Sequence, residues 1–207
     1  MARVSARGTS GSSAAAGLVI GGATAYEGLM DRGRLQAGET VLITGAAGGV
    51  GSAAVQIAAA LGDRPLGVAS PGNHDYLRGL GASAVFDYHV ADWAGQVRAA
   101  VRGGADLLLD CAGGQTRDQA IGAVRDGGRV ISIILHGLPA QLERGITGES
   151  FAAHGGRERL EALSRLVDAG TLRPQVEAVL PLDQARQALT RVAGRHTRGK
   201  IVLQIRQ

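Results

Sequence analysis

The sequence lacks the features that define several common classes of protein. Cys111 is its single cysteine, which excludes a disulfide framework and a zinc cluster built from cysteines. No apolar run approaches the length needed to span a membrane, and the first residues lack the apolar stretch of a signal peptide. We therefore expect a soluble, cytoplasmic protein that does not interact with membranes.

Lysine is almost absent, and positive charge is not concentrated anywhere. The net charge is +4, and Lys200 is the only lysine among 22 basic residues. The arginines are dispersed along the chain, which argues against a surface that binds nucleic acid. A lysine four residues after a tyrosine, which short-chain dehydrogenases require, does not occur in the sequence.

Aromatic residues are also scarce. They make up 3% of the chain, whereas hydrophobic residues as a whole make up 45%. The core must therefore consist mainly of alanine, valine, leucine and isoleucine, which suits close packing of helices on a sheet. At 207 residues the chain is long enough for one large domain, or for one and a half small ones.

Glycine, by contrast, is abundant, and four glycines lie close together at residues 45–51 within the stretch VLITGAAGGVGSAAVQIAAALG, residues 41–62. Apolar residues 41–43 predict a buried strand, and the apolar residues after the glycines recur at helical spacing. A glycine-rich turn between strand and helix brings backbone N–H groups close to an anion. This variant of the dinucleotide fingerprint predicts a pyrophosphate site. The predicted contacts are Gly45, Ala47, Gly48, Gly49, Val50 and Gly51. A tight turn without a ligand is the alternative, but it does not need four glycines.

Strand and helix patterns alternate along the rest of the chain. The predicted strands after the first are residues 66–69, 84–86, 105–110, 129–135 and 200–205. The predicted helices are 23–32, the segment after the glycine turn up to 62, 73–80, 92–101, 157–169 and a last helix from Pro181. This alternation predicts an α/β fold, with a doubly wound, mostly parallel Rossmann sheet and helices on both faces. Residues 1–13 are predicted to be a flexible arm, and residues 14–207 the dinucleotide-binding domain.

The carboxyl ends of the strands indicate where the cofactor lies and which one it is. Ligands bind at these ends in such sheets, so the loops beginning at Cys111 and Ile133 are cofactor candidates. An acidic residue after the second strand would bind the ribose 2′-hydroxyl and select NAD. Here the segment is Ser70-Pro71-Gly72-Asn73, and Asp75 belongs to the next helix. We therefore predict NADPH rather than NADH as the cofactor.

Taken together, these segments resemble the cofactor domain of the medium-chain dehydrogenase/reductase superfamily, in its zinc-free quinone oxidoreductase and enoyl reductase branch. The resemblance is carried by ATAYEGL (23–29), AGETVLITGAAGGVGSAAVQIAAALG (37–62), NHDYLRGLGASAVFDY (73–88), LLLDCAGG (107–114), DGGRVISI (126–133), LVDAGTLRP (166–174) and RGKIVL (198–203). It extends from about residue 14 to the end. The family's N-terminal GroES-like domain, which supplies much of the substrate cleft, has no counterpart in these residues.

The resemblance also implies roles for particular residues. The positions that hold the 2′-phosphate in family members correspond to Ser70, Asn73 and Tyr88. Asn73 replaces the family's lysine, which removes a charge, and Arg195 matches a basic position that can compensate. The proton donors proposed for polyketide enoyl reductases fall at Asn73 and Asp92. Asp92 is therefore a catalytic candidate without its partner lysine, and the other catalytic groups stay unknown.

Two functions follow from the resemblance. In the first, the protein is an oxidoreductase that transfers hydride from NADPH to a quinone or to an activated double bond of an enone or enoyl substrate. In the second, it is a non-catalytic module that binds NADPH or only dimerises. Cofactor domains of this family pair through an edge strand, so we expect a homodimer. One cysteine and five scattered histidines do not form a zinc site, so no metal is expected.

Overall fold

Six parallel strands form the central sheet of the structure, a computed structural model that describes residues 11–154, 156–194 and 197–205. In chain order the strands are β1 (Thr40–Thr44), β2 (Arg64–Val68), β3 (Ala84–Phe86), β4 (Ala105–Asp110), β5 (Val124–Ser132) and β6 (Thr147–Ser150). Across the sheet they are arranged β3-β2-β1-β4-β5-β6. This order reverses direction between β1 and β4, which opens a crevice at their carboxyl ends. The predicted doubly wound α/β fold is confirmed.

Helices cover both faces of this sheet. They are α1 (Gly11–Tyr26), α2 (Gly51–Ala60), α3 (His74–Gly79), α4 (Trp93–Ala100), α5 (Gly114–Gly122), α6 (Arg157–Asp168) and α7 (Ala185–Ala193). Val41 and Ile43 of β1 pack in one apolar cluster with α1 and α2, whereas Leu42 packs in another with α4. The alternation of side chains along one strand thus supplies both cores. No helix in the described ranges is both long and apolar enough to cross a membrane.

The first helix begins earlier than predicted. It starts at Gly11, so the last residues of the segment assigned to the flexible arm are helical, and residues 1–10 lie outside the described ranges. After Tyr26 it continues as a π-helical segment, Glu27–Arg32. Its glycines obscure the helix in the sequence because glycine is a poor helix former. They allow close packing instead: a Cβ on Gly21 would lie 2.5 Å from the carbonyl oxygen of Gly49.

The edge strand β6 forms despite its unfavourable sequence. It pairs with β5 from Arg129 opposite Thr147 to Ser132 opposite Ser150. On its other side, the Gly148 N–H donates to the carbonyl of Ala140 at 3.0 Å. These bonds on both sides hold a segment that strand propensity alone does not favour. The neighbouring β5 ends at Ser132, earlier than predicted, so Ile133 follows the strand instead of belonging to it.

The last predicted strand belongs to a second sheet. This sheet consists of β7 (Val176–Pro181), which the sequence pattern did not indicate, and β8 (Lys200–Gln204), in parallel. It abuts the glycine turn, because the Gly199 N–H donates to the carbonyl of Ala47 at 2.9 Å and Gly199 forms a parallel bridge with Gly48. The turn after β1 is therefore supported by a segment near residue 200.

Candidate cofactor site

A crevice of about 860 Å³ opens at the carboxyl ends of the central strands. Most of the residues predicted to contact the cofactor line it: Gly45, Ala47, Gly48, Ser70, Asn73, Tyr88 and Cys111. Residues that were not named individually also line it: Val68, Ala69, Ala112, Gly113, Gly114, Gln115, Thr116, Ile134 and Thr197. Several of these residues belong to the loops that begin at Cys111 and Ile133, which were predicted to contact the cofactor because they follow the ends of strands.

One side of the glycine turn borders the open crevice, and the other side packs against the backbone at the end of β1. Gly45 has φ +58°, a conformation that favours glycine. A Cβ on Gly48 would meet only the carbonyl oxygen of Gly45, at 3.3 Å. A Cβ on Gly51 would lie 2.6 Å from Cα of Ala46, so Gly51 brings α2 close to the strand. Gly48 thus leaves space open beside the crevice, whereas Gly51 serves packing.

Three of the predicted contacts in this turn do not line the crevice. The side chain of Lys200 covers the position where a Cβ of Gly49 would lie. Val50 packs against the apolar cluster beneath α1 and α2. Gly51 faces the backbone of Gly45 and Ala46. The turn curls as it enters α2, so successive residues face different directions and only part of the motif borders the open space.

The floor of the crevice is organised by a fully buried carboxylate, Asp110, at the end of β4. Its Oδ1 accepts hydrogen bonds from Thr44 Oγ1 at 2.7 Å, from the Gly113 N–H at 2.9 Å and from the Ala112 N–H at 3.1 Å. Its Oδ2 accepts from Ser132 Oγ at 2.7 Å. One side chain therefore ties together the ends of β1, β4 and β5. The sequence signal for it is an acidic residue that ends the apolar run LLLD.

Cys111, next to Asp110, lines the crevice as a neutral thiol. Burial, and secondarily the charge of Asp110, raise its pKa far above the ordinary value for cysteine. Its backbone N–H donates to Thr44 Oγ1 at 3.1 Å. A thiol with a raised pKa is a poor nucleophile, so Cys111 shapes the wall of the crevice rather than reacting.

The rim of the crevice contains the turn between β2 and α3. Asn73 Nδ2 donates to Ser70 Oγ at 3.1 Å, and Arg198 Nε donates to Asn73 Oδ1 at 2.7 Å. Arg195, the predicted compensating cation, lies outside the described residues. Among the described residues the cation on this turn is Arg198, which the sequence did not indicate because it lies 125 positions from Asn73.

Two further predicted residues lie elsewhere. Asp92 is exposed at the start of α4, where its carboxylate accepts a hydrogen bond from the Gly95 N–H at 3.1 Å. It acts as a helix cap there and does not line the crevice, which does not favour a catalytic role. Ile133 packs against the core, while Ile134 lines the crevice, because side chains alternate in extended chain after β5.

Acidic side chains do not contribute to the crevice wall among the residues that the structure describes. Asp75, the acidic residue closest in sequence to the turn after β2, is exposed and pairs with Arg78 at 2.8 Å. Within the same described ranges, no three histidine, cysteine or acidic side chains are grouped so that they could hold a metal ion. The described part of the wall is thus neutral, with backbone N–H groups, hydroxyls and amides as its polar groups.

Comparisons with known proteins agree with this geometry. A family model described as zinc-binding dehydrogenase matches residues 80–203. A probable zinc-binding oxidoreductase, mitochondrial, from Arthroderma benhamiae is 30% identical over 92% of this chain and 62% of its own. The quinone oxidoreductase from Coxiella burnetii is 28% identical with a TM-score of 0.81, covering 93% of this chain and 60% of that one. The CurK enoyl reductase is 26% identical with a TM-score of 0.81, covering 93% and 62%.

The chain belongs to the medium-chain dehydrogenase/reductase superfamily, an oxidoreductase family whose fold binds nicotinamide cofactors. The chain spans about three fifths of the length of the relatives compared above. The predicted resemblance to a cofactor-binding domain of this superfamily is confirmed.

Proposed function

We propose that this chain is the cofactor-binding part of an NADPH-dependent oxidoreductase that reduces a quinone or an activated double bond. The observation that carries the proposal is the crevice itself. It combines an open glycine turn at Gly48 with an acid-free rim formed by Ser70 and Asn73. An acidic residue at the rim would instead favour the ribose of NAD.

Different residues of the crevice are expected to bind different parts of the cofactor. The backbone of Ala47 and Gly48 would hold the pyrophosphate, and Ser70, Asn73 and Tyr88 would contact the 2′-phosphate. The loop that begins at Cys111 would border the nicotinamide end. NADPH, when bound, would supply a hydride. Among the described residues the wall carries no acidic side chain, so none of them would repel the phosphates of the cofactor.

The substrate class is proposed from relatives. The names of two structures with TM-scores of 0.81 describe a quinone oxidoreductase and an enoyl reductase. Both reactions deliver hydride to an electron-poor carbon skeleton, so a small quinone, enone or enoyl compound is the proposed substrate.

Calorimetric titration with NADPH and NADH tests the choice of cofactor. We expect NADPH to bind about 10- to 100-fold more tightly, which corresponds to one hydrogen bond to a charged group. Equal affinities, or a preference for NADH, would contradict the proposal.

A second candidate is a module that binds NADPH without turnover. It is favoured by the wall of the crevice, where Cys111 is neutral and no acidic side chain of the described residues is present to donate a proton. Loss of NADPH absorbance at 340 nm with a quinone or an enone separates the two candidates. Binding without any oxidation of NADPH would favour the module.

A homodimer is also proposed, and two surfaces of the chain are candidates for its interface. The outer side of β6 is partly occupied, because Ala140 bonds to Gly148 and Gln141 forms a bridge with Thr147. On α1, Leu18 is buried, but Val19 and Ile20 are 45% and 72% exposed. We expect Ile20→Lys to convert a dimer to a monomer in sedimentation velocity, whereas a dimer that survives this change would contradict an interface on α1.

A further inference from the structure

Arg198 is fixed on the turn that forms the rim of the crevice. Its Nε donates to Asn73 Oδ1 at 2.7 Å, and its Nη2 donates to the carbonyl of Gly72 at 2.5 Å. The centre of the guanidinium lies 5.6 Å from the centroid of the Tyr76 ring. These three contacts all lie between residues 72 and 76, so the side chain is directed to one short segment.

The backbone around Arg198 is anchored at the same place. Its N–H donates to Glu177 Oε2 at 2.6 Å, and the following Gly199 N–H donates to the carbonyl of Ala47 at 2.9 Å. The preceding residue, Thr197, lines the crevice. Arg198 is therefore held between the glycine turn and the turn after β2, beside the crevice.

The guanidinium of Arg198 makes its described hydrogen bonds to neutral groups. Its hydrogen-bond acceptors are an amide and a carbonyl, which are neutral. In the described part of the chain no carboxylate forms an ion pair with it, and Glu177, the nearby acid, forms an ion pair with Arg191. The described hydrogen bonds also leave its Nη1 available. A fixed guanidinium with an available donor is suited to a phosphate dianion.

We propose that Arg198 determines specificity for the 2′-phosphate of the cofactor. It would supply the charge that is missing at Asn73, with Asn73 and Ser70 as neutral neighbours of the same phosphate. This inference rests on the proposed use of NADPH and adds the residue that selects it.

Binding of 2′,5′-ADP and 5′-AMP to the purified chain isolates this contact, because the two probes differ only in the 2′-phosphate. We expect the unaltered protein to prefer 2′,5′-ADP, and Arg198→Gln to reduce the affinity for it about 10- to 100-fold while 5′-AMP binding stays unchanged. Arg198→Lys should have an intermediate effect, because lysine keeps the charge but not the fork of donors.

Two matched variants control for a general loss of charge. Arg78→Gln removes an exposed arginine on α3 that pairs with Asp75, and it should leave the preference intact. Arg195→Gln tests the residue that the resemblance indicates, and its effect should be smaller than that of Arg198→Gln.

The outcomes separate this inference from the proposed function. If the preference for 2′,5′-ADP persists in Arg198→Gln, or if both probes weaken equally, the inference is overturned while the NADPH proposal stands. If the unaltered protein shows no preference, both are overturned.

Discussion

At the floor of the crevice, Asp110 is fully buried and accepts bonds from the strand ends around it, whereas at the rim Arg198 is exposed and reaches Asn73 from a distant segment. Buried hydrogen bonds to a charged group are strong and costly to leave unmade. Exposed polar contacts contribute little to stability. The floor therefore maintains the fold, while the rim is available to select a ligand.

The largest expected effect is on the floor. Asp110→Ala would leave the hydroxyls of Thr44 and Ser132 and two backbone N–H groups without their acceptor. We expect it to lower the free energy of unfolding by about 4 kcal/mol, measured by urea denaturation. Asp110→Asn, which keeps the shape and one acceptor, should cost less. A loss below about 1 kcal/mol for Asp110→Ala would contradict the role given to the floor.

Substitutions on the open side of the glycine turn should affect cofactor binding rather than stability, as expected for the rim. A valine at position 48 would fill the space beside the crevice while meeting little of the protein. We expect Gly48→Val to weaken NADPH binding at least about 100-fold, or about 2.7 kcal/mol, in calorimetry. Its unfolding transition should stay close to that of the unaltered protein. Normal binding by the folded variant would show that the turn is not the cofactor site.

Substitutions on the inner side of the same turn should lower stability, as expected for the floor. In Gly51→Ala the new methyl group would lie 2.6 Å from Cα of Ala46, and backbone cannot yield easily. We expect a loss of about 2 kcal/mol in unfolding free energy. Gly48→Ala is the matched control, since its methyl group would meet a single oxygen at 3.3 Å. Equal stability of Gly51→Ala and Gly48→Ala would contradict the assignment of packing to one side of the turn and ligand binding to the other.

The smallest expected effect belongs to Tyr88, which lines the crevice near the rim. Tyr88→Phe removes only the hydroxyl group that would donate to the 2′-phosphate. We expect NADPH affinity to fall by about tenfold, or about 1.4 kcal/mol, with NADH affinity and thermal stability unchanged. A parallel loss of NADH affinity would assign Tyr88 to the shape of the crevice rather than to the phosphate.

The floor could be predicted from the sequence more fully than the rim. The runs VLI and LLLD define β1 and β4 because their apolar pattern is local, and the order of such strands places their ends together. Periodicity could not indicate that Asp110 gathers donors from three strands, but an acid at the end of a buried strand was visible. The capping role of Asp92 at the start of α4 was not visible in the motif from which it was named as a candidate.

The rim depends on contacts that no local pattern contains. Asn73 meets Arg198 only because β8 returns beside the glycine turn, and β7, its partner, was not predicted. The helix start at Gly11 and the strand β6 were also missed or underestimated. In both cases glycine lowers the local propensity, and the structure is stabilised by neighbouring backbone or close packing instead.

The hydrogen bond from Gly199 to Ala47 also has a consequence for the time course of folding. It joins residues that are far apart in the sequence, and contacts of that kind must overcome a large loop-closure entropy before they stabilise anything. The central strands, whose neighbours are closer in sequence, can pair before β8 docks. During refolding from urea, we expect helical circular dichroism to recover first and the ability to bind NADPH to return in a later kinetic phase.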